Sequence, residues 1–178
     1  MKKLVYAIVA LATLTLASCE KDPIGGTATE KMAGEWYVEC IAVDADGEIV
    51  LEDADLFGIG KFWLNTFNTA ANTTDSMWVG DVDGAMGYIW DYNGFQVKVG
   101  CNLANGTFSV ANGFDIIDED VVNITDGKIL FGAGKTPSGV QADSIVFDIA
   151  FGADPYAGVY YDRLRITGIR YTGLAADD

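Results

Sequence analysis

The chain has 178 residues, half of them hydrophobic, and a formal net charge of −15 from 26 acids against 11 bases. That length suits one domain with a sizeable core, and the acidity repels phosphate backbones, which excludes nucleic acid as a partner. The chain contains no histidine, which removes Ser-His-Asp and Cys-His catalysis and every His-based zinc site.

Met1–Cys19 begins with two lysines and continues as an apolar stretch, Leu4–Leu16, too short for a comfortable membrane span. Leu16-Ala17-Ser18-Cys19 closes it. This resembles a bacterial lipoprotein signal, in which residues 1–18 are removed and Cys19 is acylated as the new N-terminus. The expectation is a lipid-anchored outer-membrane protein, attached to the membrane by acyl chains rather than by its own charge. Residues 19–30 then form the lipidated cysteine and a flexible tether, with Pro23, Gly25 and Gly26 and no apolar period.

Residues 31–178 form the predicted folded domain. The run Gly34-Glu35-Trp36 opens a strand over Ala33–Val43, placing Trp36, Val38, Cys40 and Ala42 on one face. Turn dipeptides that accept positive φ follow at Asp46-Gly47, Asp83-Gly84, Asn93-Gly94, Asn105-Gly106, Asn112-Gly113 and Asp126-Gly127. Between them lie β-rich runs at Gly60–Ala70, Ser76–Val82, Tyr88–Tyr92, Phe95–Leu103, Thr107–Ala111, Val121–Ile124, Lys128–Phe131, Ser144–Phe151 and Tyr160–Thr172. No run shows a sustained helical period. About eight to ten strands at hairpin spacing predict an all-β fold, an antiparallel up-and-down barrel or a sandwich.

Parity adds detail. Phe95, Val97, Val99 and Cys101 share one face, as do Ile145, Phe147, Ile149 and Phe151. In the last strand Arg170 shares the apolar face of Leu164 and Ile166. Stacked on an indole, that guanidinium would be covered on one side; a bulge turning it outward is the other reading. Gly-x-Trp resembles the opening of lipocalins, where the tryptophan lies under a basic residue of the last strand, so Trp36 and Arg170 are the expected barrel closure.

AGEWY, LNTFNTAANTTDSMWVGD, ITDGKILFGAGKTPSG, DSIVFDIAFGADPY and ITGIRYTG resemble the bacterial lipoproteins of the lipid-binding putative hydrolase family. The resemblance implies a lipocalin-like barrel and a lipid-type ligand. It carries no catalytic motif onto this chain.

The residues themselves give hydrolysis no support. Ser76, Ser109, Ser138 and Ser144 lie in neither Gly-x-Ser-x-Gly nor Ser-x-x-Lys. Asp115, Asp118, Glu119 and Asp120 read as a solvated loop, and Asp44–Gly47 as a hairpin turn instead of a calcium loop. Cys40 and Cys101 read as two buried thiols on well-separated strands. No catalytic residue, metal site or cofactor is assigned. Trp36, Phe62, Tyr88, Trp90, Phe95 and Phe147 are the candidate lining of a cup for an apolar small molecule or lipid. The same aromatics would equally fill a narrow barrel. Binding of an apolar ligand is the leading expectation. A carboxylate-dependent hydrolase and a structural or interaction lipoprotein with a filled barrel are the alternatives.

Overall fold

The computed structural model describes residues 26–50, 58–81, 83–87, 93–174 and 176–177. The acylation site Cys19, the leader, and two of the candidate ligand aromatics, Tyr88 and Trp90, lie outside the described residues. The predicted run Tyr88–Tyr92 does as well.

Alternating apolar residues set the eight strands: β1 (Gly34–Val43), β2 (Phe62–Asn68), β3 (Ser76–Asp81), β4 (Phe95–Asn102), β5 (Thr107–Phe114), β6 (Val121–Lys135), β7 (Gln141–Phe151) and β8 (Arg163–Arg170). Each pairs antiparallel with its neighbours in sequence, and β1 pairs with β8 from Trp36↔Arg170 to Val43↔Arg163, closing the barrel. Closure removes the exposed strand edges that an open sheet would leave. The fold is therefore the lipocalin-like up-and-down barrel.

Inward positions carry Val38, Leu64, Val79, Val97, Ile124, Ile145, Ile149 and Ile166, all without accessible surface. Phe108 meets Phe147 edge to face at 5.5 Å, and Phe95 meets Phe151 at 5.5 Å nearer one end. A hollow wide enough for water would leave its lining side chains some accessible surface. The described inward residues have almost none, so side chains fill the interior. Outward positions include Glu35, Glu39, Gln96, Lys98 and Lys128, the reverse of the apolar-out, polar-in wall of a membrane-spanning barrel.

Two of the predicted turns are bulges. Asn112 and Asp126 have positive φ (52° and 55°), but the strands run through them. Thr125 pairs with Asp148 and Lys128 with Val146, so three steps along β6 match two along β7. The extra residue at Asp126-Gly127 shifts parity by one, which places Ile129 inside with Val122 and Ile124 and keeps Lys128 outside. The separate runs expected at Val121–Ile124 and Lys128–Phe131 are one strand for this reason. Hairpin dipeptides and bulge dipeptides use the same residues because both need the left-handed conformation.

Cys40 is buried inside the barrel and Cys101 is half-exposed on β4; neither forms a disulfide. Burial pushes the Cys40 thiol far up, with Asp154 adding to it, so it packs as a small apolar group.

Candidate ligand site at the barrel mouth

The two ends of the barrel are built from different chemistry. At one end Trp36 is fully buried, and its indole N–H donates to Thr66 Oγ1 at 2.8 Å. The Thr66 hydroxyl donates in turn to the Met32 carbonyl at 2.7 Å. Met32 itself is buried beneath the plug. The Arg170 guanidinium lies over the indole, 4.6 Å from the ring centroid. It donates from Nε to Asp143 Oδ2 at 3.0 Å and from its two Nη groups to the Ala33 and Lys31 carbonyls. Gly34 leaves room for this arrangement, because a Cβ there would stand 2.5 Å from Arg170 Nη1 and move the guanidinium off its partners. The Gly-x-Trp pattern thus has a local cause: the glycine makes room for the cation that covers the tryptophan. The groups named here bond partners far away in sequence, while the buried Thr29 and Thr69 hydroxyls near this end have no hydrogen-bond partner.

The other end is bounded by the connections β1–β2, β3–β4, β5–β6 and β7–β8. Here carboxylates organise the described loop residues. Asp44 accepts the amides of Asp46 and Glu48, both at 2.9 Å. Asp81 accepts those of Met86 at 2.7 Å and Ala85 at 3.3 Å. Asp154 accepts the Tyr156 amide at 2.8 Å and the Tyr161 hydroxyl at 2.9 Å. These are local Asx-type bonds, in which a short acid mimics a backbone turn.

The acidic run at 115–120 departs from the expectation of a solvated loop. Asp115 is fully buried, and its Oδ1 accepts the Gln96 amide at 2.9 Å and the Ile117 amide at 3.0 Å. Asp118 accepts the Asn93 amide and its side-chain NH2 at 2.6 and 2.5 Å. Asp120 accepts the Ala153 amide at 2.9 Å. These carboxylates tie the β5–β6 loop to the loops on either side of it. Charge runs of this kind usually face solvent; here the backbone amides of three loops converge on them.

Two acids face inward at this end. Asp81 continues the inward face of Met77 and Val79 and pairs across to Phe95. Asp115 pairs with Val97 in an isolated bridge, on the face opposite the exposed Phe114. Burial holds the Asp81 carboxyl above its ordinary range, while the amides of Met86 and Ala85 pull it partly back. Asp115 Oδ2 is buried and has no hydrogen-bond partner. Strand parity alone makes Asp81 legible in the sequence. Asp115 is not, because the bulge at Asn112 decides which way it faces.

Exposed apolar side chains stand among the acids of these loops, in greater number than at the plugged end, where Leu130, Phe131, Val140 and Leu174 are exposed. Val159 is 69% exposed, Tyr160 65%, Phe114 60% and Ile49 56%, with Ile116, Val121 and Val50 close to these in sequence. A cleft of about 190 Å³ lies between Asp44, Val50, Val159, Tyr160, Tyr161 and Asp162. Two larger clefts, of about 640 and 500 Å³, indent the outer wall over β7–β8–β1 and over β4–β6 and do not open the interior. Of the candidate lining residues, Phe62 and Phe95 sit in the mouth half, Phe147 at mid-barrel and Trp36 in the plug. All four point inward and are buried in mutual packing. They form one core under the mouth rather than the wall of a cup. The serines are dispersed over β3, β5, the β6–β7 connection and β7.

A lipocalin-like barrel, plugged at one end and carrying exposed apolar side chains at the other, is the class of protein that this fold and site define. The chain belongs to the lipid-binding putative hydrolase family, whose model matches residues 21–175. No curated relative matches the chain. Among solved structures, it is similar to a Bacteroides ovatus protein of unknown function, determined at 2.40 Å, with TM-score 0.44 and 13% identity. That alignment covers 79% of this chain and 42% of the other, so the chain spans less than half the length of that relative.

Proposed function

We propose that the protein binds a lipid or similar apolar small molecule, and that it does so at the mouth of the barrel. The observation that carries this reading is the concentration of exposed apolar side chains, Ile49, Phe114, Val159 and Tyr160, above an interior that side chains already fill. Isolated exposed apolar residues need no explanation, whereas a group of them at one end of a strongly acidic molecule does. Membership of a family described as lipid-binding supports the same ligand class. Phe62 and Phe95 form the floor of such a site. Each methylene transferred from water contributes about 0.8 kcal/mol, so even a short alkyl chain lying on this surface gains measurable affinity. In this reading the protein is an outer-membrane lipoprotein held by an acyl group on Cys19, whose Leu-Ala-Ser context motivates the assignment.

The test is a titration of the delipidated full chain with an uncharged apolar fluorophore, beside a thermal melt. Saturable one-site binding that the double substitution Val159→Asp and Tyr160→Asp weakens, with an unchanged melting temperature, is the expected result. No saturable binding would overturn the proposal and leave the filled barrel as a structural or interaction module. Mass spectrometry of the native N-terminal peptide checks the anchor: an unmodified Cys19 would exclude it.

A further inference from the structure

The apolar mouth explains why a ligand body would bind there but says nothing about its polar end. Three observations bear on that end. The first is charge. Every mouth loop carries acids, and among the described residues of those loops Lys61 is the single base. Lys61 lies against the ring of Tyr37, 5.8 Å from its centroid. The two arginines at the mouth end of β8 are already engaged. Arg163 donates to Asp148 Oδ2 at 2.9 Å, and Arg165 donates to both Asp148 oxygens at 2.7 and 3.0 Å. A carboxylate or phosphate head arriving here meets repulsion and, among the described residues, finds no unengaged arginine.

The second is Asp115 itself. A buried carboxylate oxygen without a donor is costly, and native structures rarely leave one. Asp115 Oδ1 is held by two amides, which fixes the group in place, while Oδ2 has no partner. It is an oriented acceptor lacking its donor. The third is position. Asp115 and Asp81 flank the first residues of β4, on the inward face directly under the apolar rim. Reaching Oδ2 requires loop residues to part. The bonds that hold the β5–β6 loop to its neighbours lie on the surface side, from Asp118 to Asn93 and from Asp120 to Ala153.

We propose that the ligand is an amphiphile with a protonated amine head, which donates to Asp115 Oδ2 while its apolar body lies against the mouth. Asp81 adds negative potential on the other side of Phe95, and the acidic loops steer the cation inward. This inference rests on the mouth-binding reading, and it specifies the chemical class within it.

The experiment compares three probes of equal chain length, dodecylamine, dodecanol and dodecanoate, titrated below their micelle concentrations into the delipidated full chain at neutral pH. The amine is expected to bind about tenfold or more tightly than the carboxylate, as a charge-assisted bond would give, with the alcohol between them. In Asp115→Asn the amine-to-alcohol preference should fall several-fold, to what Asp81 and the acidic loops alone provide. If that variant does not fold, the side-chain carboxyl resonance of Asp115 in the unaltered protein serves instead. It should move on addition of the amine and stay still with the alcohol control at the same saturation. Equal binding of amine and carboxylate would overturn the head-group inference and leave the mouth-binding reading standing. So would an amine preference that is undiminished in Asp115→Asn, or a carboxyl resonance that the amine does not move. Failure of all three probes to bind would remove the mouth-binding reading as well.

Discussion

The plug and the mouth spend their polar groups in opposite ways. In the plug, Trp36, Thr66, Arg170 and Asp143 bond partners tens of residues away or more, so the end forms only when distant parts of the chain are all in place. At the mouth, Asp44, Asp81 and Asp154 bond amides within about one turn of themselves. The β5–β6 acids are the exception, reaching to Asn93, Gln96 and Ala153. Long-range bonds make a cooperative unit, while local ones let a loop open without disturbing its neighbours. The contrast makes the plug a cooperative unit and leaves the mouth turns held mostly by local bonds.

The largest test of that contrast is Trp36→Ala. It empties the centre of the plug, removes the indole donor from Thr66 and uncovers one face of Arg170, and should cost about 3–5 kcal/mol in denaturant unfolding. A cost under about 1 kcal/mol would mean that the plug does not hold the barrel together. Next is Asp148→Asn, which leaves two arginines without their shared anion. Because the guanidinium groups are partly exposed and solvent screens them, the expected loss is about 2 kcal/mol.

Acid sharpens the comparison, because two buried acids respond with opposite signs. Burial works against the Asp148 charge, but the bonds from Arg165 and Arg163 outweigh it and hold the carboxyl below its ordinary range. Its stabilisation is therefore present at neutral pH and is lost as pH falls through that lowered value. Asp81 is held above its ordinary range, so its ionised form opposes folding and protonation relieves the strain as pH falls through the raised value. Asp81→Asn should accordingly flatten a gain in stability on mild acidification, while Asp148→Asn should flatten a loss at stronger acid. Melts across pH 2–7 on both variants read the two signs, and identical profiles would contradict them. The smallest effect on folding is expected from Val159→Asp: under about 0.5 kcal/mol, since the side chain is exposed, in contrast to its effect on apolar binding.

Much of the plug was legible in the sequence. Trp36 and Arg170 share inward parity on the first and last strands, and parity is what a closed barrel preserves. The strand count was legible only within limits, because Asn112-Gly113 and Asp126-Gly127 satisfy a bulge as well as a turn, and pairing partners alone decide between them. The mouth was the least legible part. Nothing local distinguishes the carboxylate of Asp115, which takes two amides in the interior, from that of a solvated loop. The aromatics illustrate the same limit from the other side: alternation places Phe95 and Phe147 inside, but whether they line space or fill it depends on what faces them across the barrel. Here Phe151 and Phe108 do.

The chain enters the barrel at the plugged end, where the carbonyls of Lys31 and Ala33 are held by Arg170 before β1 begins. A pull on the N-terminus therefore runs along β1, whose ladders to β2 and β8 lie across the line of force. Those hydrogen bonds are loaded together in shear rather than peeled one at a time, after the bonds of Asn72 to Gly26 and Ala28 and the guanidinium clamp have taken the strain. A force applied at the start of β1 is therefore carried by the stiffest part of the molecule, and the mouth loops lie outside its path.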